Sequence, residues 1–232
     1  MGCGRGITLS LVYCLMSGIC VGQSRAPILV ELFTSEGCSS CPPADRLLQQ
    51  LDQQVIVLSE HVDYWNQLGW KDPFSSAAFT ARQQAYGRLL SQEGVYTPQM
   101  VVDGETQFVG SDGARAAAAI ANAGRRKKAE VRIARTDAGL QVDVGPPPGS
   151  AEVFLAIADD RDASQVSAGE NSGRRLDHVA VVRSLQKIGS VKRGAAFSRV
   201  VELPRAAAAQ RVIVFLQESG PGRISGAAML AP

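Results

Sequence analysis

The sequence predicts an α/β domain followed by an all-β sandwich, and three observations lead there. Residues 28–51 pass from an apolar strand-like run through a Gly turn into helical periodicity. Residues 95–123 read as a hairpin followed by an Ala-rich helix. From Ala129 onward the texture changes to short alternating runs separated by Gly and Pro turns. At 232 residues and 45% apolar content, the chain is long enough for one large or two small domains with a sizeable core.

The N-terminus is set apart first. Arg5 precedes an apolar stretch from Ile7 to Val21, and small or polar residues follow to Ala26. This pattern is expected of a secretory signal peptide over residues 1–26, with Ser24-Arg25-Ala26 as a cleavage site. The stretch is short for a membrane span, with an uncleaved anchor as the alternative to cleavage. Cys14 and Cys20 lack the small residues that would precede a lipidated cysteine. The expected mature chain is secreted or periplasmic and has no membrane attachment. It retains only Cys38 and Cys41 of the five cysteines. Removing Arg5 and Arg25 leaves 22 basic against 22 acidic residues, and Arg125-Arg-Lys-Lys128 is too short a basic run to mark a nucleic-acid surface.

The first strand is Ile28–Phe33. Ala44, Leu47, Leu48 and Leu51 then fall at i, i+3, i+4 and i+7, one face of a helix. Between them stands Cys38-Ser-Ser-Cys41. A strand that delivers Cys-x-x-Cys to a helix N-terminus is the layout of a redox dithiol, because the helix end favours a thiolate over a thiol. A purely stabilising disulfide is the plain alternative. A four-residue loop, however, is worth about 2 kcal/mol in the loop-entropy model, against nearly 5 for one of about 100 residues. Pro42 restricts Cys41, so the helix is expected to begin at Pro42 or Pro43 with Cys41 as its cap.

Val55–Val62 reads as a second, buried strand, and Asp63–Ser76 as a loop holding both tryptophans. Ala78, Ala81, Ala85 and Leu89 mark one face of the next helix. Thr97-Pro98 leads into two short strands flanking Asp103-Gly104, a hairpin turn signal. Ser111 or Asp112 caps the following helix, which Gly124 ends. The predicted division is 27–124 for the first domain, 125–128 for a linker and 129–232 for the sandwich. Val131–Ile133, Leu140–Val144, Val153–Ile157, Phe197–Val201 and Val212–Leu216 are its strands.

The order strand, Cys-x-x-Cys helix, strand, helix, Thr-Pro, hairpin, helix makes residues 28–123 resemble a thioredoxin-like domain. Val30–Asp45, His61-Val-Asp-Tyr-Trp65, Leu68–Phe74 and Val95–Met100 resemble, more narrowly, a secreted bacterial family known only as domain of unknown function 1223. The resemblance runs over nearly all the mature chain. It implies a thioredoxin-like first domain in which Thr97-Pro98 is a cis bond beside the dithiol. Thr97 would then pair with a substrate backbone, and Glu31 would stand near the buried carboxylate that exchanges protons with the second cysteine. Gly37 departs from the thioredoxin pattern, which places Trp before the first cysteine.

The function expected is thiol–disulfide oxidoreductase, with Cys38 attacking, Cys41 resolving, and Thr97, Pro98 and Glu31 assisting. Its partners would be protein thiols or disulfides and a redox partner protein, with no cofactor. Two other classes remain. One is Cu(I) handling by Cys38, Cys41 and His61, since soft thiolates select that ion. The other is a binding module whose disulfide is structural. Gly169–Arg183, with Arg174, Arg175, His178 and Arg183, reads as a Gly-rich hairpin loop with a basic flank, able to form an anion site or to dock on the first domain.

Overall fold

The computed structural model describes residues 1–2, 27–204, 207 and 209–232. The expected signal segment, apart from its first two residues, lies outside them, with Cys3, Cys14 and Cys20. β1 (Leu29–Thr34) is buried at every position because it pairs on both sides, with β2 (Ile56–His61) in parallel and with β3 (Gln99–Val102) antiparallel. β4 (Thr106–Val109) closes that edge through the hairpin, whose Asp103 and Gly104 have φ of +49° and +70°. Both turn residues are left-handed, as a tight two-residue hairpin turn requires.

Strand alternation sends Val30 and Leu32 to one face and Glu31 and Phe33 to the other. The first face is covered by α1 (Pro42–Leu51) and α3 (Gly113–Ala123), with Ala44, Leu48, Leu51, Ala116 and Ala119 in the core. α2 (Ala77–Leu89) covers the second face. It buries Phe79, Gln83, Tyr86 and Gly87, so the Ala-marked face predicted for it is not the packed one, and Leu89 is exposed. Large side chains, and not the alanines, decide which side is buried, since each removes more apolar area from water. Among the described residues, no helix is long and apolar enough to cross a membrane.

The predicted fold class is corrected by the sheet. An α/β thioredoxin-like domain followed by a separate β-sandwich would end the first sheet at β2. Instead the sheet continues through β8 (Arg175–Val191), β7 (Ala151–Gln165), β10 (Arg211–Gln217) and β11 (Ile224–Leu230), in the order β11-β10-β7-β8-β2-β1-β3-β4. β8 runs parallel to β2, with Ser59 opposite Val181. The fold is therefore a mostly β structure around one mixed eight-stranded sheet. A second sheet of β5 (Val131–Thr136), β6 (Gly139–Val144) and β9 (Phe197–Val201) packs on its far half, burying Leu140 and Val142 against Val153, Leu155, Val212 and Val214.

The physical reason lies in β8. Val179-Ala-Val-Val182 is buried throughout and must pair on both sides, with β7 and with β2. A run read as a hairpin loop is thus the strand that welds the two halves.

Candidate functional site

The Cys38–Cys41 turn connects β1 to α1. Cys38 N–H donates to the Ser35 carbonyl at 3.2 Å, and Cys41 N–H to the Cys38 carbonyl at 3.2 Å. The two cysteines are joined as a disulfide. Cys41 caps α1 as expected, yet at φ −77° and ψ −38° its backbone is already helical, against the preference of a residue before proline. Its carbonyl accepts from Ala44 N–H at 2.8 Å and Asp45 N–H at 3.1 Å, and these bonds favour that conformation. Both cysteines are 0% exposed, while Ser39 and Ser40 between them are exposed.

The Thr97–Pro98 peptide is cis and lies beside the turn, with the Thr97 carbonyl oxygen 3.8 Å from Cys38 Sγ. Ser40 Oγ is 3.3 Å from the same sulfur. The aromatic loop packs onto this group. Trp65 Nε1 donates to Thr97 Oγ1 at 2.8 Å, and Trp70 Nε1 to Glu36 Oε2 at 2.8 Å. A Cβ on Gly37 would come within 3.1 Å of Trp65 Cβ, so a larger residue there would push the loop away.

The β7–β8 hairpin tip clamps the turn from the other side. Asn171, fully buried, donates to the carbonyls of Glu36 at 2.8 Å and Cys38 at 2.9 Å, and accepts from Arg174 at 2.7 Å. The Glu170 carboxylate accepts from Ser39 N–H at 2.9 Å. Of the two readings of Gly169–Arg183, docking on the first part of the chain is therefore the arrangement observed.

Behind the turn lies a buried ionisable cluster of Glu36, Asp45, His61, Asp72 and His178. His178 Nε2 is 3.2 Å from Glu36 Oε1, and its Nδ1 is 3.9 Å from Asp45 Oδ1, too far for a hydrogen bond. Thr34 Oγ1 donates to Asp45 Oδ1 at 2.9 Å, and the Ser164 hydroxyl donates to Glu36. His61 Nδ1 is 2.7 Å from Asp72 Oδ2, and the His61 and His178 rings meet edge to face at 4.7 Å between centroids. Among the described residues, His61 Nε2 and His178 Nδ1 have no hydrogen-bond partner.

Burial pushes the Asp45 carboxyl above its ordinary range, against the opposing pull of His178, His61 and the Thr34 hydroxyl. For His178, burial alone would lower the pKa. The hydrogen bond to Glu36 and the charges of Asp45, Glu36 and Asp72 outweigh it, so the imidazolium is favoured. Burial also works against the Asp72 carboxylate, but the charge and hydrogen bond of His61 and the N–H groups of Glu36 and Phe74 hold it below the usual range.

The sequence-predicted residues divide. Cys38, Cys41, Thr97 and Pro98 come together. Glu31 lies on the opposite face of β1 from α1, where its carboxylate accepts from Arg82 Nε at 2.7 Å and from the Tyr86 hydroxyl. It touches neither cysteine, because alternation along β1 turns it toward α2. His61 faces Asp72 and His178 and not the sulfurs. Among the described residues, no group of three or more His, Cys, Asp or Glu side chains is arranged to hold a metal ion. Asp45 and Asn171 carry no site reading in the sequence, and His178 carries one only as part of the Gly169–Arg183 anion site or docking segment. The four-residue offset from Cys41 to Asp45 is a usable signal, whereas nothing local announces that Asn171 and His178 reach the cysteine turn and its buried cluster.

A cleft of about 240 Å³ beside the start of α1 is lined by Pro42, Asp45, Arg46, Gln49 and Arg174–Asp177. A neighbouring cavity of about 590 Å³ reaches His178, with Arg161, Asp162 and Arg175 on its walls.

The family model described as protein of unknown function (DUF1223) matches residues 29–217. The solved structure of protein AGR_C_4864 from Agrobacterium tumefaciens is similar, with 33% identity and a TM-score of 0.77 over 90% of this chain and 96% of that one. HBP35 of Porphyromonas gingivalis shares the fold at 14% identity, with a TM-score of 0.57 over 89% of this chain and 75% of that one. No curated protein matches.

Proposed function

The chain belongs to the DUF1223 family, and we propose that it exchanges thiols and disulfides through Cys38 and Cys41 outside the cytoplasm. The observation that carries this reading is the meeting of three elements where β1 ends and β3 begins: the Cys38–Cys41 disulfide, the N-terminus of α1 and cis Thr97–Pro98. The grouping resembles the site of thioredoxin-like oxidoreductases, although the fold around it differs. The signal-like N-terminus and the disulfide both suit an oxidising compartment.

Chemically, a substrate thiolate attacks Cys38 Sγ, and the electron pair of the broken S–S bond leaves on Cys41 Sγ. In the reverse direction Cys41 attacks Cys38 of the mixed disulfide and releases the substrate. The Thr97 carbonyl and the α1 N-terminus orient the turn. With both sulfurs at 0% exposure, attack requires Ser39-Ser40 or the covering loops to shift.

That same burial favours a second reading, a binding module in which the disulfide is structural. A glutathione redox titration with thiol trapping separates them. A reversible couple between about −120 and −270 mV falls among exchange enzymes, and trapping with Cys41→Ser would then capture substrates as mixed disulfides. A pair that stays oxidised below about −300 mV behaves as a structural disulfide, and the exchange reading fails.

A further inference from the structure

Breaking the Cys38–Cys41 bond places a negative charge on a fully buried sulfur. A buried thiolate is costly unless a proton or a cation meets it. One such route runs along α1. Cys41 is helical and its carbonyl accepts from Asp45 N–H at 3.1 Å. The two side chains therefore stand one turn apart on one helix face, with Cβ atoms roughly 5–6 Å apart. Asp45 is buried, and His178 Nδ1, which has no hydrogen-bond partner among the described residues, lies 3.9 Å from its Oδ1. Asp45 lines the cleft beside α1 and His178 the adjoining cavity, so each side chain reaches a surface opening.

We propose that Asp45 exchanges a proton with Cys41 during disulfide exchange, and that His178, held by Glu36, is the positioning residue that balances the charge on Asp45. This rests on the thiol–disulfide reading. When a substrate thiolate attacks Cys38 Sγ, the bonding pair leaves on Cys41 Sγ. The Asp45 carboxyl gives that sulfur its proton, leaving a thiol and a carboxylate facing His178. In the reverse direction the Asp45 carboxylate takes the Cys41 proton, the thiolate attacks Cys38 Sγ of the mixed disulfide, and the substrate thiolate departs.

Burial raises the pKa of Asp45, which favours the protonated carboxyl as a proton donor. The groups around it are Thr34 from β1, His61 from β2, Asp72 from the aromatic loop, Glu36 from the turn, His178 from β8, and Arg46, Arg174, Arg175 and Asp177 along the cleft.

The test is the pH dependence of disulfide reduction by dithiothreitol in the full chain, corrected for the ionisation of the reductant. Asp45→Asn should be at least about tenfold slower near neutral pH and should lose one inflection of the profile. Thr34→Val removes a hydroxyl that favours the Asp45 carboxylate, so the inflection should move to higher pH with the reaction intact. A purely structural role for Asp45 would not move that inflection. Should Asp45→Asn fail to fold by circular dichroism, Thr34→Val decides alone. A wild type that reacts, with an unmoved inflection in Thr34→Val, overturns this proposal and leaves the exchange reading standing. A folded wild type that resists dithiothreitol across the range overturns both.

Discussion

Asn171→Ala tests the clamp that joins the two halves of the chain at the disulfide. Its side-chain amide donates to Glu36 and Cys38 carbonyls at 2.8 and 2.9 Å, and it is fully buried. Truncation removes both donors and leaves two buried acceptors. An orphaned buried group costs about 1–3 kcal/mol, and a made hydrogen bond contributes a net of about 0.5–1.5 kcal/mol. Water entering the vacated space recovers part of this, so the expected loss is about 2–4 kcal/mol. With a urea slope of about 2–3 kcal/mol per molar, the midpoint should fall by roughly 1 M. After reduction, Cys38 should also react faster with iodoacetamide, because the turn has lost a restraint on its carbonyl side. A loss below about 0.5 kcal/mol with unchanged alkylation would refute the reasoning, since the hairpin tip would then only lie near the turn without holding it.

Other positions carry separate expectations. Glu60 is fully buried, and burial with the nearby Glu31 charge, only partly offset by Arg82, holds its pKa well above 4.5. The unfolded chain ionises first as pH rises, so this residue's contribution is full below about pH 4 and is lost progressively toward the folded pKa. Glu60→Gln should therefore flatten the pH dependence of the melting temperature, gaining stability at pH 7–8 and little at pH 4. Gly110→Ala would bring a Cβ within 2.7 Å of Leu32 Cδ1, 3.1 Å of Ala44 Cβ and 3.2 Å of Pro98 Cβ. Overpacking of this kind costs about 1–3 kcal/mol, measurable by urea unfolding, and should disturb α1 and the cis-proline turn together. Lys128 pairs with Asp103, whose other oxygen accepts from Leu29 N–H at 2.9 Å, and both side chains are buried. Lys128→Met should cost about 3–5 kcal/mol by leaving that carboxylate uncompensated, and Lys128→Met combined with Asp103→Asn should recover part of the loss.

Local chemistry made much of the first hundred residues legible. Proline at the first turn, apolar spacing and a left-handed Asp-Gly turn act over a few residues, so α1, β1–β4 and α3 lie where their patterns placed them. The face of α2 was misread because its alanines share a spacing with helical amphipathicity, yet Phe79 and Tyr86 have more apolar area to bury. β11 went unseen because Ile224-Ser-Gly-Ala-Ala-Met-Leu230 has small residues where β-formers would signal a strand, and pairing with β10 overrides that weak propensity.

The site divides in the same way. By itself the sequence determined the Cys-x-x-Cys turn, the helix that follows it and the Thr-Pro step, because each depends on neighbours within about one turn. It also placed an acidic side chain one helical turn beyond Cys41. Only the tertiary structure decided that Glu31 faces α2, that Asn171 reaches the Cys38 carbonyl across 133 residues, and that His178 meets Glu36 across 142. Those contacts follow from the insertion of β8 beside β2. Strand pairing over such separations is set by the burial of a whole sheet, and no local window of sequence contains that free energy.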